Sequence, residues 1–169
     1  MAIIEQWTAE DAVVPEKKGN YLKLKPGENR VRMLSKPLRG YVQWIEEDGG
    51  RKPIRHPFGQ KPKNVDAKFF WCTTVWDYGT ESVAIWEITQ RTIQASISEL
   101  AHNPQWGSPS QYDLTITRSG NGLDTEYRVM PSPASELSDD VKAKVAETRV
   151  DLEALLHGED PFAAPESPF

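Results

Sequence analysis

The stretch that most constrains the fold runs from residue 68 to 88. It reads Lys68-Phe69-Phe70-Trp71-Cys72-Thr73-Thr74-Val75-Trp76-Asp77-Tyr78-Gly79-Thr80, then Glu81-Ser82-Val83-Ala84-Ile85-Trp86-Glu87-Ile88. Aromatic and β-branched residues crowd both halves, and such residues fit a pleated, half-buried strand. Asp77-Tyr78-Gly79-Thr80 has tight-turn chemistry, so a β-hairpin is predicted. Alternate side chains of a strand point to opposite faces. Phe69, Trp71, Thr73 and Val75 share one face; Phe70, Cys72, Thr74, Trp76 and Tyr78 share the other. One face fills a core. The other presents rings with no obvious interior place, and exposed rings mark interaction surfaces.

Charge sharpens this expectation. The 169 residues carry a net charge of −5, which by itself argues against a polyanionic partner. The distribution argues otherwise: residues 17–68 sum to +9, whereas residues 131–169 sum to −6. A cationic segment running into an aromatic hairpin suggests a surface that stacks bases and tracks phosphates. The single cysteine, Cys72, excludes an internal disulfide and points to a reducing compartment, where it packs as a small buried hydrophobe. His56, His102 and His157 are scattered, and no Cys/His cluster has zinc-ligand spacing. Neither a signal peptide nor an apolar run of about 20 residues is read in the sequence, so a cytoplasmic protein is expected.

Along the chain, residues 1–20 read as an N-terminal arm whose Trp7 docks on its own domain or on a neighbouring molecule, the former being the plainer reading. Short alternating runs follow at 21–25, 30–34 and 41–46, with Val31 and Met33 facing inward and Arg30 and Arg32 outward. Residues 51–64 hold Pro53, Pro57, Gly59 and Pro62 among five cations and read as a long mobile loop. After the hairpin, Ile93, Ile97, Leu100 and Ala101 recur at helical spacing, predicting a helix over 90–102 capped by Thr89. A second hairpin is predicted over 112–130 around Ser119-Gly120-Asn121-Gly122. Residues 135–157 read as two short helices or one bent one. Residues 158–169, with three acids, three prolines and no base, read as a disordered tail. The expected fold is mainly β: a small OB-fold-like barrel over 21–134 with one inserted α-helix, then a helical segment and the tail. An open β-sandwich shows similar patterns.

The run Trp106-Gly107-Ser108-Pro109, Tyr112-Asp113-Leu114-Thr115-Ile116, Arg118-Ser119-Gly120, Thr125-Glu126-Tyr127-Arg128-Val129 and Pro131 resembles the bacteriophage single-stranded-DNA-binding proteins. The resemblance covers roughly residues 20–135. It implies an OB-fold that coats and protects single strands with little sequence preference during replication, recombination or repair. Some members of that family hold a structural zinc through Cys and His; this chain lacks those ligands, so no metal or other cofactor is expected. The acidic end closing in Pro168-Phe169 resembles the partner-docking tips of bacterial single-strand-binding proteins.

These readings nominate residues. Arg30, Arg32, Lys36, Arg39, Arg51, Lys52, Arg55, Lys61, Lys63 and Lys68 are the phosphate-contacting candidates. Tyr41, Trp44, Phe70, Trp76, Tyr78 and Trp86 are the stacking candidates, although a barrel of this size needs several rings inside. Trp106 and Tyr112 are expected between helix and barrel. Glu159, Asp160, Phe162, Glu166, Pro168 and Phe169 are the candidates for recruiting replication or recombination proteins. RNA, duplex DNA and self-association on DNA stay open, and no membrane partner is expected. No phosphate-binding Gly-Lys-Ser/Thr loop, Gly-x-Ser-x-Gly elbow or metal-spaced His pair is present, so the chain is not expected to be an enzyme. The alternative is a protein-interaction module of the replication machinery that does not touch single strands.

Overall fold

The computed structural model describes residues 4–9 and 20–162. The fold is mainly β as expected, but the expected barrel is not closed: seven strands form one open antiparallel sheet, β1 (Gly27–Met33), β2 (Leu38–Glu47), β3 (Gly50–Pro57), β4 (Lys68–Asp77), β5 (Ser82–Ile88), β6 (Asp113–Ser119) and β7 (Glu126–Pro131). Helix α1 (Arg91–His102) lies between β5 and β6, and α2 (Asp139–Glu147) follows β7. Short 3-10 helices occupy Pro109–Gln111, Gly122–Asp124 and Leu152–His157. The hairpin of 68–88 and the second hairpin stand where the sequence predicts them. No helix among the described residues is long and apolar enough to cross a membrane.

β1 and β2 act as one long bent strand. Both pair antiparallel with β4, β1 through Met33 against Val75 and β2 through Leu38 against Cys72. Between those pairs the first strand advances five residues while β4 advances three. The two extra residues bulge, and a bulge bends its strand and sharpens the local twist. Ser35 stitches it down: its Oγ accepts from the Thr74 N–H at 2.9 Å and its carbonyl accepts from Thr73 Oγ1 at 2.8 Å. Beyond the bend, the other edge of the long strand splits. Its first half pairs with β6 and its second with β3.

β3 corrects the loop expected over 51–64. Its prolines, Pro53 and Pro57, sit on an edge strand opposite Trp44 and Gly40, where a missing N–H costs no pairing on the free side. The strand expected over 21–25 shrinks to a bridge in which Tyr21 adds parallel to β5 at Ile85. Trp7 is 80% exposed rather than docked on its own domain. Thr89 does not cap α1; Gln90 stands at the cap position without a side-chain bond.

The sheet is covered on both faces. On one, Val31, Met33, Val75, Trp86, Ile88, Tyr112, Leu114 and Ile116 pack against Ile93 and Ile97 of α1. Trp106 and Tyr112 meet edge to face at 5.6 Å in this core, as expected. On the other, Val42, Phe70, Cys72 and Ile85 pack beneath Leu155, with Val150, Leu152, Leu156 and Phe162 around them. The rings left over in the sequence reading therefore have a lid, made from the C-terminal segment. Residues 159–162, read as the start of a disordered tail, belong to it. The Asp151 N–H donates to the Pro161 carbonyl at 2.7 Å, and the Phe162 ring meets Tyr21 edge to face at 5.9 Å.

Candidate nucleic-acid interface

Where β2, β3 and β4 extend past the body of the sheet, one face carries an uncovered aromatic cluster. Tyr41 of β2 and Phe69 of β4 are direct cross-strand partners, so their rings meet at 5.8 Å. The chain turns after β3 and lays Phe58 beside both, 6.5 Å from Tyr41 with planes 9° apart and 6.0 Å from Phe69. Phe58 is 52% exposed. Arg39, two residues before Tyr41 on the same strand face, holds its guanidinium 4.3 Å from the Phe58 ring centroid. Lys61 Nζ lies 5.6 Å from the Tyr41 ring. Trp71 continues the row along β4, and Arg91, Gln94, Ala95 and Ser98 of α1 form the opposite bank. The shallow, open hollow they line measures about 500 Å³.

No carboxylate lines this hollow. Three other surface hollows each carry at least one: Asp66 and Glu87 beside Trp44, Glu136 beside Arg32, and Glu46, Glu47 and Asp48 at the β2–β3 turn. A chain with more acids than bases thus keeps one aromatic surface free of negative charge. Rings with cations over their faces and no competing carboxylate suit a planar, negatively charged chain.

Of the nominated cations, Arg39 and Lys61 belong to this cluster. Lys36 is exposed at the β1–β2 bulge, and Lys52 and Lys63 are exposed nearby in sequence. Arg51 and Lys68 are exposed on the opposite face of the β2–β3 extension, where Arg51 sits 5.7 Å from the half-exposed Trp44 ring. Arg55 is not free: its guanidinium binds Glu87 at 2.6 Å, with both side chains mostly covered. Arg32 corrects the expectation that it points to solvent. It is 3% exposed and donates to Asp113 Oδ1 at 2.7 Å and to the Ser135 carbonyl at 3.0 Å. Arg30 shares that carboxylate from the surface side, donating through Nε at 3.0 Å, and lies over the Tyr78 ring.

The stacking nominees divide in the same way. Tyr41 joins the cluster and Trp44 is open on the far face. Phe70, Trp76 and Trp86 are 0–2% exposed, and a ring with no free face cannot stack on a base; they are core. Two-sided coverage of β4 and β5 is the cause. Tyr78 is half-buried, with its hydroxyl donating to Asp113 at 2.8 Å. Of the tail nominees, Phe162 is wedged into the second core and Asp160 caps its N–H at 2.9 Å. Glu159 is exposed. Glu166, Pro168 and Phe169 lie outside the described residues. Among those described, no group of His, Cys, Asp or Glu could hold a metal ion.

Phe58, Phe69, Trp71 and Arg91 were not nominated. Phe58 had a legible signal, a ring between Arg55-His56 and Lys61. Phe69 and Trp71 are on the strand face opposite the nominated Phe70 and Trp76, and Trp71 also packs against the core beneath α1. No family model matches the chain, and no curated protein or solved structure matches it.

Proposed function

We propose that this chain binds single-stranded DNA with little sequence preference, along the hollow framed by Tyr41, Phe58, Phe69 and Trp71. The observation that carries this reading is the carboxylate-free aromatic surface, with Arg39, Lys61 and Arg91 at its rim, in a chain of net charge −5. Bases stack on the rings, each true stack contributing about 1–3 kcal/mol, and the rim cations follow the phosphates. In this reading the protein coats exposed strands during replication, recombination or repair, as the resemblance to phage single-strand-binding proteins implies.

The strand order supports an OB-like reading of the sheet. The bent β1–β2 unit serves as first strand, β4 and β5 as second and third, α1 as the intervening helix, and β6 and β7 as fourth and fifth. β3 and its turn then form an enlarged loop between the first and second strands, one of the loops that bind oligonucleotides in OB-folds. One departure bears on function. The face of the second and third strands, the usual platform, carries the C-terminal lid here, so binding moves to the opposite face, the one on which α1 lies.

The test is anisotropy of a labelled poly-dT oligonucleotide titrated with protein over a salt series. Binding should weaken with salt, and Arg91→Gln should flatten the log–log slope by about 0.7, the increment for one phosphate contact on a single strand. Absence of binding at low salt would overturn the reading in favour of a protein-interaction module.

A further inference from the structure

We propose that a second, apolar cavity next to the aromatic hollow is a capture pocket for one unstacked base of the same DNA strand; this rests on the single-strand reading above. The cavity measures about 470 Å³ and opens between the β1–β2 bulge and the C-terminal half of α1. Met33, Leu34 and Pro37 line it from the bulge, and Ile97 and Ala101 from the helix.

Three features identify the occupant. First, the cavity and the aromatic hollow share a wall: Trp71 and Ser98 line both. A strand leaving the Tyr41–Phe58–Phe69 cluster along β4 meets Trp71 and then this cavity, without crossing another element. Second, the chemistry matches one nucleotide. The lining is mostly apolar with a few polar groups at its edge, the usual make-up of a pocket for a flat heterocycle. Lys36, exposed on the bulge, stands at the lip where the phosphate of an inserted base would lie. Third, no carboxylate lines this cavity either, so the acid-free surface continues through it. The bulge is what makes the pocket. The two extra residues carry Lys36 and Pro37 onto the cavity wall, while the bulge stays tied to β4 through the Leu34 N–H on the Thr74 carbonyl at 2.8 Å and through Ser35 on Thr73 and Thr74.

The chain has three methionines, Met1, Met33 and Met130. Met33 lines the cavity, and Met130 is exposed on β7, away from it. Protein labelled with 13C at the methionine methyls is titrated with a dT oligonucleotide, and anisotropy of the same oligonucleotide is followed in parallel. A base in the pocket shifts the Met33 methyl upfield by its ring current, with the midpoint of the anisotropy curve, while Met130 stays in place. Ala101→Trp, which fills the cavity from an exposed helix position, should abolish that shift and weaken binding about tenfold, within the range expected for one lost stack. If the oligonucleotide binds but Met33 does not move, or Ala101→Trp binds as tightly as the parent, the pocket assignment is overturned and the single-strand reading stands. If the parent protein binds no oligonucleotide, both fall.

Discussion

Arg32 and Asp113 face each other across β1 and β6, with Arg32 Nε 2.7 Å from Asp113 Oδ1 and both side chains no more than 3% exposed. Burial raises the Asp113 pKa, but hydrogen bonds from Arg30, Tyr78 and Arg32 outweigh it and hold the carboxyl below its ordinary value. A lowered folded pKa adds stability above the unfolded carboxylate value, about 3.9, and that stability is lost as pH falls through the folded value. Asp113→Asn should therefore cost about 3–5 kcal/mol at pH 7, the range for leaving a buried partner charge unpaired. The gap between parent and variant should narrow below about pH 4. Urea unfolding at pH 7, 5 and 3 reads both effects; a gap that is constant with pH would mean the carboxylate charge contributes nothing.

Phe58→Ala separates binding from folding. The ring is half exposed and rests on other surface rings, so thermal stability should change little while affinity for poly-dT falls by about 1–3 kcal/mol. Trp86→Ala should do the reverse. It empties a 2%-exposed core site and should cost about 3–5 kcal/mol of stability. Equal affinities of parent and Phe58→Ala would remove this ring from the interface.

Gly40 is the most crowded of the glycines within the strands. A Cβ there would sit 2.3 Å from the His56 carbonyl oxygen and 2.9 Å from the Phe70 ring. β2 lies between β3 and β4 at this point, so neither neighbour can yield cheaply. Gly40→Ala should destabilise by at least the 1–3 kcal/mol typical of overpacking and loosen the Phe58 corner. The check is a chemical-denaturation midpoint together with oligonucleotide affinity, which should fall with it.

Cys72 should be silent in the native protein. It is fully buried, and burial, helped by the nearby Glu87 charge, pushes its thiol up to about 12. Thiolate is the reactive form, so a thiol-titrating disulfide reagent should read no free thiol at pH 8 until denaturant is added. Rapid native labelling would show that the C-terminal lid opens.

The parts of the fold legible in the sequence were those governed by local pattern. Both hairpins announce themselves through alternation and turn residues, and α1 through Ile93 and Ile97. What stayed hidden was decided at long range. Nothing near Arg32 in sequence names Asp113, and prolines in β3 argue against a strand unless its edge position is known. The fate of Phe70 depends on a lid supplied from residues 150–162, and Trp76 has Lys144 of α2 over its ring. The candidate interface was half visible for the same reason. Arg39, Tyr41 and Lys61 come from the basic segment, but Arg91 and Phe69 join them only through strand register and the placement of α1.

The lid also bears on how the chain is made. Phe70, Cys72 and Ile85 are synthesised well before Leu155, which covers them. At about 5–20 residues per second, roughly 3–13 seconds separate the emergence of β5 from that of its cover. During that interval a nascent chain displays a flat, greasy sheet face to its surroundings. The segment around Leu155 therefore ends the period in which a ribosome-bound copy is most prone to stick to its neighbours through this face, and a chain released before Leu155 would carry that adhesive face permanently.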